Sequence, residues 1–190
     1  VVGAQVMKIP PTFTIFCGPM MSSKTTRLIG AVDRFRYQNQ RVLAFKPKMD
    51  KRYTKDEIST HNGGKLEAVN VSSGDEILRN VDMYEPDVVA VDEAFMIDGS
   101  AEALIQIYRK GVSVVVSSIE MSASCKIFPE IEQILPWATK IEKCTAVCVV
   151  CGEDAPYTQR KVSDLAEITV GGSELYEPRC WSHHATVREA

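Results

Sequence analysis

The chain has no excess of basic residues: 22 Lys and Arg against 25 Asp and Glu give a formal net charge of −3 over 190 residues. This balance argues against a nucleic-acid partner, because binding a polyanion requires a basic surface. The sequence also lacks any apolar run of the roughly 18–20 residues that span a bilayer. Its first residues, VVGAQVMKIPP, lack the layout of a signal peptide. We therefore expect a cytoplasmic protein without a membrane partner, and a flexible leader over residues 1–11.

Cysteine is too sparse for a small disulfide-held scaffold, since only six occur in the chain. Three of them are scattered, and we interpret these as core or incidental residues: Cys17, Cys125 and Cys144. The other three belong to two short pairs, Cys148-x-x-Cys151 and Cys180-x-x-His183.

These two pairs have the spacing of a zinc site, because two side chains three residues apart on a tight turn can bind one ion and a second pair completes a tetrahedron. The x₂ spacing favours His183 as the fourth ligand, and His184 remains the alternative. Three thiolates and one imidazole without an open position indicate structural Zn²⁺. A zinc ribbon can also bind nucleic acid, but the enclosed segment 152–179 is not rich in basic and aromatic residues.

Hydrophobic residues make up 45% of the chain, which is enough for a sizeable core. Periodicity and turn residues predict strands at 12–17, 41–47, 87–95, 112–119 and 139–147, and helices at 24–37, 73–81, 100–111 and 129–137. Residues 53–68 are polar and contain Asn62-Gly63-Gly64, which predicts a loop. Several strands are apolar throughout, as in a parallel sheet covered on both faces. We predict an α/β fold like that of phosphate-loop NTPases over 12–145, a small zinc-binding domain over 146–184 and a tail over 185–190.

A phosphate-binding loop is indicated by FCGPMMSSKTTRL, which lies between the first strand and the first helix. It follows the pattern Gly-x-x-x-x-Gly-Lys-Thr, except that Ser23 replaces the second glycine. Lys24 would reach the β- and γ-phosphates, and Thr25 would offer its hydroxyl to Mg²⁺. Serine is tolerated at this position if its φ is negative, or at a cost of about 1–2 kcal/mol if its backbone is left-handed. The alternative is an ordinary strand–turn–helix with a surface lysine.

A second motif is the apolar strand that ends in Asp92-Glu93. Its aspartate has the position of a Walker B residue that holds Mg²⁺, and Glu93 beside it can take a proton from an attacking hydroxyl. Carboxyl ends of parallel strands lie at one edge of a sheet, so the two motifs predict a single nucleotide site. An acidic pair that only caps a helix is the alternative.

Together these residues resemble the type II, or cellular-type, thymidine kinase family. The resemblance rests on GPMMSSKTT, VVAVDEAFM, TAVCVVCGEDAPYTQR and ITVGGSELYEPRCWSH, and it covers roughly residues 12–184. It implies transfer of the γ-phosphate of ATP to the 5′-hydroxyl of thymidine, giving dTMP and ADP. It also implies a zinc-held lasso that closes over the nucleoside, a homotetramer, and feedback by dTTP.

The resemblance further implies the role of each matching residue. Glu93 would be the general base, and Thr25 and Asp92 would serve Mg²⁺. The ATP site would comprise Gly18, Pro19, Met20, Met21, Ser22, Ser23, Lys24, Thr25, Asp92, Glu93, Ala94 and Phe95. The thymidine pocket would comprise Met20, Phe128, Tyr157, Thr158, Val170, Gly171, Gly172 and Tyr176. Asp50 and Arg52 match a family segment near the phosphates.

Three positions depart from the family pattern. Ser23 replaces a glycine, Phe95-Met96 stands where Gln-Phe is usual, and Ala123 stands where an aromatic residue is common. These departures favour either an active enzyme with an altered nucleoside preference or a catalytically weak, regulatory homologue.

Overall fold

The structure is a computed structural model, and it describes residues 10–48, 57–60, 63–162 and 171–188. In chain order the strands are β1 (Phe13–Cys17), β2 (Val42–Pro47), β3 (Glu57–Ser59), β4 (Lys65–Glu67), β5 (Val69–Val71), β6 (Val88–Asp92), β7 (Ser113–Ser118), β8 (Lys140–Lys143), β9 (Ala146–Val147), β10 (Asp154–Ala155), β11 (Tyr157–Arg160) and β12 (Tyr176–Arg179). The α-helices are α1 (Lys24–Tyr37), α2 (Gly74–Tyr84), α3 (Ser100–Arg109) and α4 (Pro129–Ile134).

Six of these strands form one parallel sheet in the order β5-β2-β6-β7-β1-β8. Residues 88–91 of β6 and 114–116 of β7 are fully buried, which explains their continuous apolar sequences. The sheet confirms the predicted α/β fold class. β1 precedes the phosphate-binding loop and β6 ends in Asp92, next to Glu93. In the sheet these two strands are separated by one strand, β7.

Helices cover both faces of the sheet. On one face, α1 packs its buried residues Leu28 and Val32 against the strands. On the other face, α2, α3 and α4 contribute the apolar residues of a larger core, among them Ile77, Leu104 and Ile131. At the start of α2, the Ser73 hydroxyl accepts a hydrogen bond from the Glu76 backbone N–H, as the serine–acidic sequence predicts. None of the helices in the described ranges has both the length and the apolar character that crossing a membrane requires.

The predicted loop at 53–68 is wrong over two short stretches, because β3 and β4 pair as an antiparallel hairpin. Ile58 and Leu66 face each other in the register, and each is 2% exposed in the core beneath α1. Each strand thus buries a single large side chain within polar sequence, which is too weak a pattern for periodicity to detect.

After β8 the chain forms two small hairpins, β9 with β10 and β11 with β12. The predicted strand over 139–147 is therefore two strands, since β8 belongs to the parallel sheet and β9 to a hairpin. Ala146, Ala155 and two cysteines form a small separate core here.

Candidate functional site

The turn between β1 and α1 begins at Gly18, which has a φ of 147°. A β-carbon at Gly18 would lie 2.2 Å from the carbonyl oxygen of Cys144, so only glycine fits beside the end of β8. Ser23 precedes α1 with φ 60° and ψ 24°, which is left-handed backbone. Glycine adopts this conformation without strain, whereas for serine it costs about 1–2 kcal/mol.

Lys24 is the first residue of α1 and is 6% exposed. Its ammonium group donates to the Pro19 carbonyl oxygen at 2.6 Å and to the Ser22 hydroxyl at 3.4 Å. Burial lowers the pKa of Lys24, and the carboxylates of Glu93 and Asp92 oppose that shift. The lysine therefore lies inside the loop and within electrostatic range of both acidic residues.

The two sequence motifs meet at Thr25 and Asp92. The Thr25 hydroxyl donates to the Asp92 carboxylate, with distances of 3.2 and 3.4 Å to its two oxygens. Ser117, at the end of the intervening strand β7, also donates its hydroxyl to Asp92. A hydroxyl and a carboxylate in contact are oxygen ligands of the kind that Mg²⁺ prefers, so these residues fit that ion.

Glu93 follows β6 in a left-handed conformation, with a φ of 52°. Its backbone N–H donates to the Ser117 carbonyl oxygen at 2.8 Å, and its Oε2 atom is shielded from solvent. The next turn is a 3₁₀ helix, Ala94–Met96, in which the Phe95 N–H donates to the Ser118 hydroxyl at 3.2 Å. Two buried serines at the end of β7, Ser117 and Ser118, thus hold residues 92–96 in place, and we call this segment the acidic turn.

The remaining predicted nucleotide-site residues lie in the same two turns. Met21 is also left-handed, with a φ of 64°, and Ser22 is buried with its hydroxyl donating to the Pro19 carbonyl oxygen at 2.8 Å. Ala94 is fully buried, and Phe95 is half-buried.

Of the predicted nucleoside-pocket residues, Thr158 has the most informative position. Its hydroxyl accepts a hydrogen bond from the Met20 backbone N–H at 3.2 Å, which joins β11 to the phosphate loop. Phe128 packs against Phe95, with ring centroids 4.5 Å apart. Tyr176 is 7% exposed, as is Phe128, so each presents only a small surface to a ligand.

The other predicted pocket residues are less closely linked to the loop. Gly171 and Gly172 precede β12, where the Gly172 N–H donates to the Glu174 side chain at 2.6 Å. Tyr157 is half-buried in β11. Three predicted site residues lie outside the described residues: Asp50, Arg52 and Val170.

Glu130 is a residue that sequence reasoning missed. From α4 its carboxylate accepts from the Gly99 N–H at 3.0 Å, the Ala101 N–H at 2.7 Å and the Ser100 hydroxyl at 3.2 Å. It therefore caps the start of α3 across 29 positions of sequence. Phe128, whose ring packs against Phe95, immediately precedes the helix that carries Glu130.

A second lysine lies near the loop. Lys143, at the end of β8, pairs with Glu120 just beyond β7. Burial lowers the pKa of Lys143, and the charge of Lys24 acts in the same direction. Lys143 therefore lies close enough to the phosphate loop for its charge to interact with that of Lys24, and Glu120 balances its positive charge.

The cysteine–histidine set converges as its spacing predicts. Ligand atoms of Cys148, Cys151, Cys180 and His183 all lie within 4.8 Å of one another. The Cys151 and Cys180 sulfurs are 3.7 Å apart, close to the edge of about 3.8 Å expected for a tetrahedron with Zn–S bonds of about 2.3 Å. Nδ1 of His183 is 3.1 Å from the Cys180 sulfur.

The chemistry of the donors also suits zinc. Burial opposes ionisation of Cys148, but N–H groups of Cys180, Val150 and Cys151 outweigh it and lower the pKa of this thiol to about 6. A thiolate is the form that binds the metal. Three sulfurs and one imidazole complete the shell of a structural ion, so the residues fit structural Zn²⁺.

His184, the alternative ligand, is used elsewhere. It is 2% exposed, and its Nε2 atom lies 2.9 Å from the carbonyl oxygen of Thr158. The metal cluster therefore contains His183.

This combination defines the class: an α/β protein with a parallel sheet, a phosphate-type loop beside an acidic turn, and a Cys₃His cluster. Residues 12–184 match the family model described as thymidine kinase. Since the match covers most of the chain, the protein belongs to the thymidine kinase family. Membership supports a kinase, that is, a phosphotransferase acting in nucleoside phosphorylation.

Proposed function

We propose that this protein uses ATP to phosphorylate the 5′-hydroxyl of thymidine, releasing dTMP and ADP. The observation that carries the proposal is the contact of the Thr25 hydroxyl with Asp92, because it joins a phosphate-type loop to an acidic turn. Membership of the family supports the nucleoside as acceptor.

In the proposed mechanism, the turn from Gly18 to Thr25 binds the triphosphate through backbone N–H groups and Lys24. Thr25 and Asp92 would hold Mg²⁺, which neutralises phosphate charge when bound. Glu93 accepts the proton of the 5′-hydroxyl while that oxygen bonds to the γ-phosphorus. The bond from the γ-phosphorus to the β–γ bridging oxygen breaks, and ADP carries that electron pair away.

Residues 146–184 would form the zinc-held lasso over the nucleoside, with Tyr157, Thr158, Gly171, Gly172 and Tyr176 around it. The structural zinc would fix the ends of segment 152–179. The Thr158–Met20 hydrogen bond supports this arrangement, because it brings β11 against the phosphate loop. We also propose a homotetramer with feedback by dTTP. Light scattering during size-exclusion chromatography tests the first, and inhibition kinetics test the second.

The test of the activity is nucleoside-dependent release of ADP, with the product identified by mass spectrometry. We expect turnover with thymidine and less with deoxyuridine or purine nucleosides. Glu93→Gln should lower kcat by about 10²–10⁴-fold, the usual contribution of a general base, with ATP-analogue binding changed by less than about threefold. The matched control is Glu132→Gln, on the exposed side of α4. Wild-type protein that leaves every nucleoside unphosphorylated at millimolar concentration would exclude the proposal.

A further inference from the structure

His184 is a buried residue whose two ring nitrogens are both hydrogen-bonded. Its Nδ1 atom accepts from the backbone N–H groups of Thr186 at 3.2 Å and Val187 at 3.3 Å. Its Nε2 atom lies 2.9 Å from the Thr158 carbonyl oxygen, which can only accept. This bonding pattern assigns the proton to Nε2. The ring therefore connects the chain after the metal cluster to β11.

Thr158 lies between His184 and the phosphate loop. Its carbonyl oxygen accepts from His184, and its side-chain hydroxyl accepts from the Met20 N–H at 3.2 Å. Thr158 is 6% exposed, so both hydrogen bonds are shielded from competition with water. The backbone of one residue is thus fixed by the imidazole while its side chain holds the loop.

Neighbouring contacts hold the same strand in place. The Tyr157 ring packs edge-on against the imidazole, with centroids 5.7 Å apart. The Ala185 N–H donates to the Gln159 side chain at 2.8 Å. His184 contacts Tyr157 and Thr158, and Ala185 contacts Gln159, so residues 184 and 185 hold three consecutive residues of β11.

We propose that His184 is a positioning residue that couples the metal-bearing part of the chain to the phosphate loop through Thr158. A nucleoside bound under β11 would then favour the loop conformation that binds phosphates, and bound phosphates would favour nucleoside binding in the same way. This role rests on the proposed kinase function. One neutral hydrogen bond corresponds to about a two- to tenfold change in an equilibrium constant, which sets the expected size of the coupling.

Two substitutions separate the hydrogen bonds of the two ring nitrogens. His184→Gln can keep a donor near the position of Nε2, whereas His184→Asn can keep an acceptor near Nδ1 but cannot reach the Thr158 carbonyl oxygen. Thr158→Val removes the hydroxyl at nearly constant volume. Arg188→Gln, at an exposed position of the same tail, is the control.

The first measurement is hydrogen exchange of the Met20 amide by NMR, with zinc content measured in parallel. His184→Asn and Thr158→Val should each speed exchange by about two- to tenfold, whereas His184→Gln and the control should stay near the wild type. Every variant should retain one zinc per chain. Wild-type exchange in His184→Asn or in Thr158→Val, or loss of zinc in His184→Asn, would overturn the proposal. Should His184→Asn fail to fold, His184→Leu, which removes the hydrogen bonds of both ring nitrogens, takes its place with the same expected exchange.

The second measurement is the factor by which thymidine tightens binding of a non-hydrolysable ATP analogue, obtained by calorimetry. The wild type should show a factor above one that His184→Asn lowers by about two- to tenfold, with His184→Gln restoring most of it. An equal factor in all proteins would overturn the coupling. Amide exchange needs no turnover, so a wild type without kinase activity would refute the proposed function while leaving the positioning role measurable.

Discussion

Replacing Ser23 by glycine should stabilise the protein without creating a better enzyme. The serine has a φ of 60°, which costs an L-residue about 1–2 kcal/mol. Among the described contacts its hydroxyl makes no capping bond to α1, so glycine loses no hydrogen bond there. Glycine also gives the unfolded chain more conformational freedom, which lowers the free energy of unfolding by about 0.4–1 kcal/mol. The midpoint of the difference is a net gain of about 0.8 kcal/mol, or about 2–3 °C in Tm for a chain of 190 residues.

The matched control is Glu85→Gly, because Glu85 is an exposed left-handed residue with a φ of 45° at the end of α2. Calorimetry should show a similar rise in Tm for both variants. Because the Ser23 backbone already has the conformation that glycine would take, we expect kcat/KM of Ser23→Gly to stay within about fivefold of the wild type. A rise of more than tenfold, about 1.4 kcal/mol, would refute this reasoning and identify Ser23 as a catalytic defect.

Three further predictions concern other parts of the site. Lys24→Met should lower kcat/KM by at least about 10²-fold yet raise Tm near neutral pH. The gain in stability of Lys24→Met over the wild type should shrink as pH rises through the lowered pKa of Lys24, because the wild type then loses its buried positive charge. An unchanged Tm of Lys24→Met near neutral pH would contradict this account. Glu130→Ala should cost about 2 kcal/mol in chemical denaturation by uncapping α3 and should raise the KM for thymidine, whereas Glu132→Ala should do neither. Cys180→Ser should lose zinc and lower Tm, and Cys125→Ser should keep the metal; zinc bound normally by Cys180→Ser would exclude the cluster as the metal site.

The parallel sheet could be predicted from the sequence because its inner strands are buried on both faces. Residues 88–91 are apolar and completely covered, so no alternating pattern competes with the prediction. The hairpin of β3 and β4 was predicted as a loop because only Ile58 and Leu66 are anchored in the core. What stabilises that hairpin is its position beneath α1, and local sequence does not contain that information.

The candidate site divides in the same way. Lys24, Thr25 and Asp92 belong to local motifs whose chemistry follows from their spacing, and the contact between Thr25 and Asp92 follows from the parallel sheet. The residues that support them could not be found this way. Ser117 contacts a residue 25 positions away, and His184 contacts one 26 positions away, so only the folded chain brings these partners together.

The place of β7 between β1 and β6 limits how this protein can be recombined with its relatives. Parallel strands lie about 4.8 Å apart, so β7 acts as a spacer that sets the distance between the loop after β1 and the acidic turn after β6. Ser117 and Ser118 at the end of that spacer bind the acidic turn directly. A chimera should therefore take β1, β6 and β7 from a single parent, with its crossover points outside residues 13–118, or the hydroxyl and carboxylate will no longer be in register.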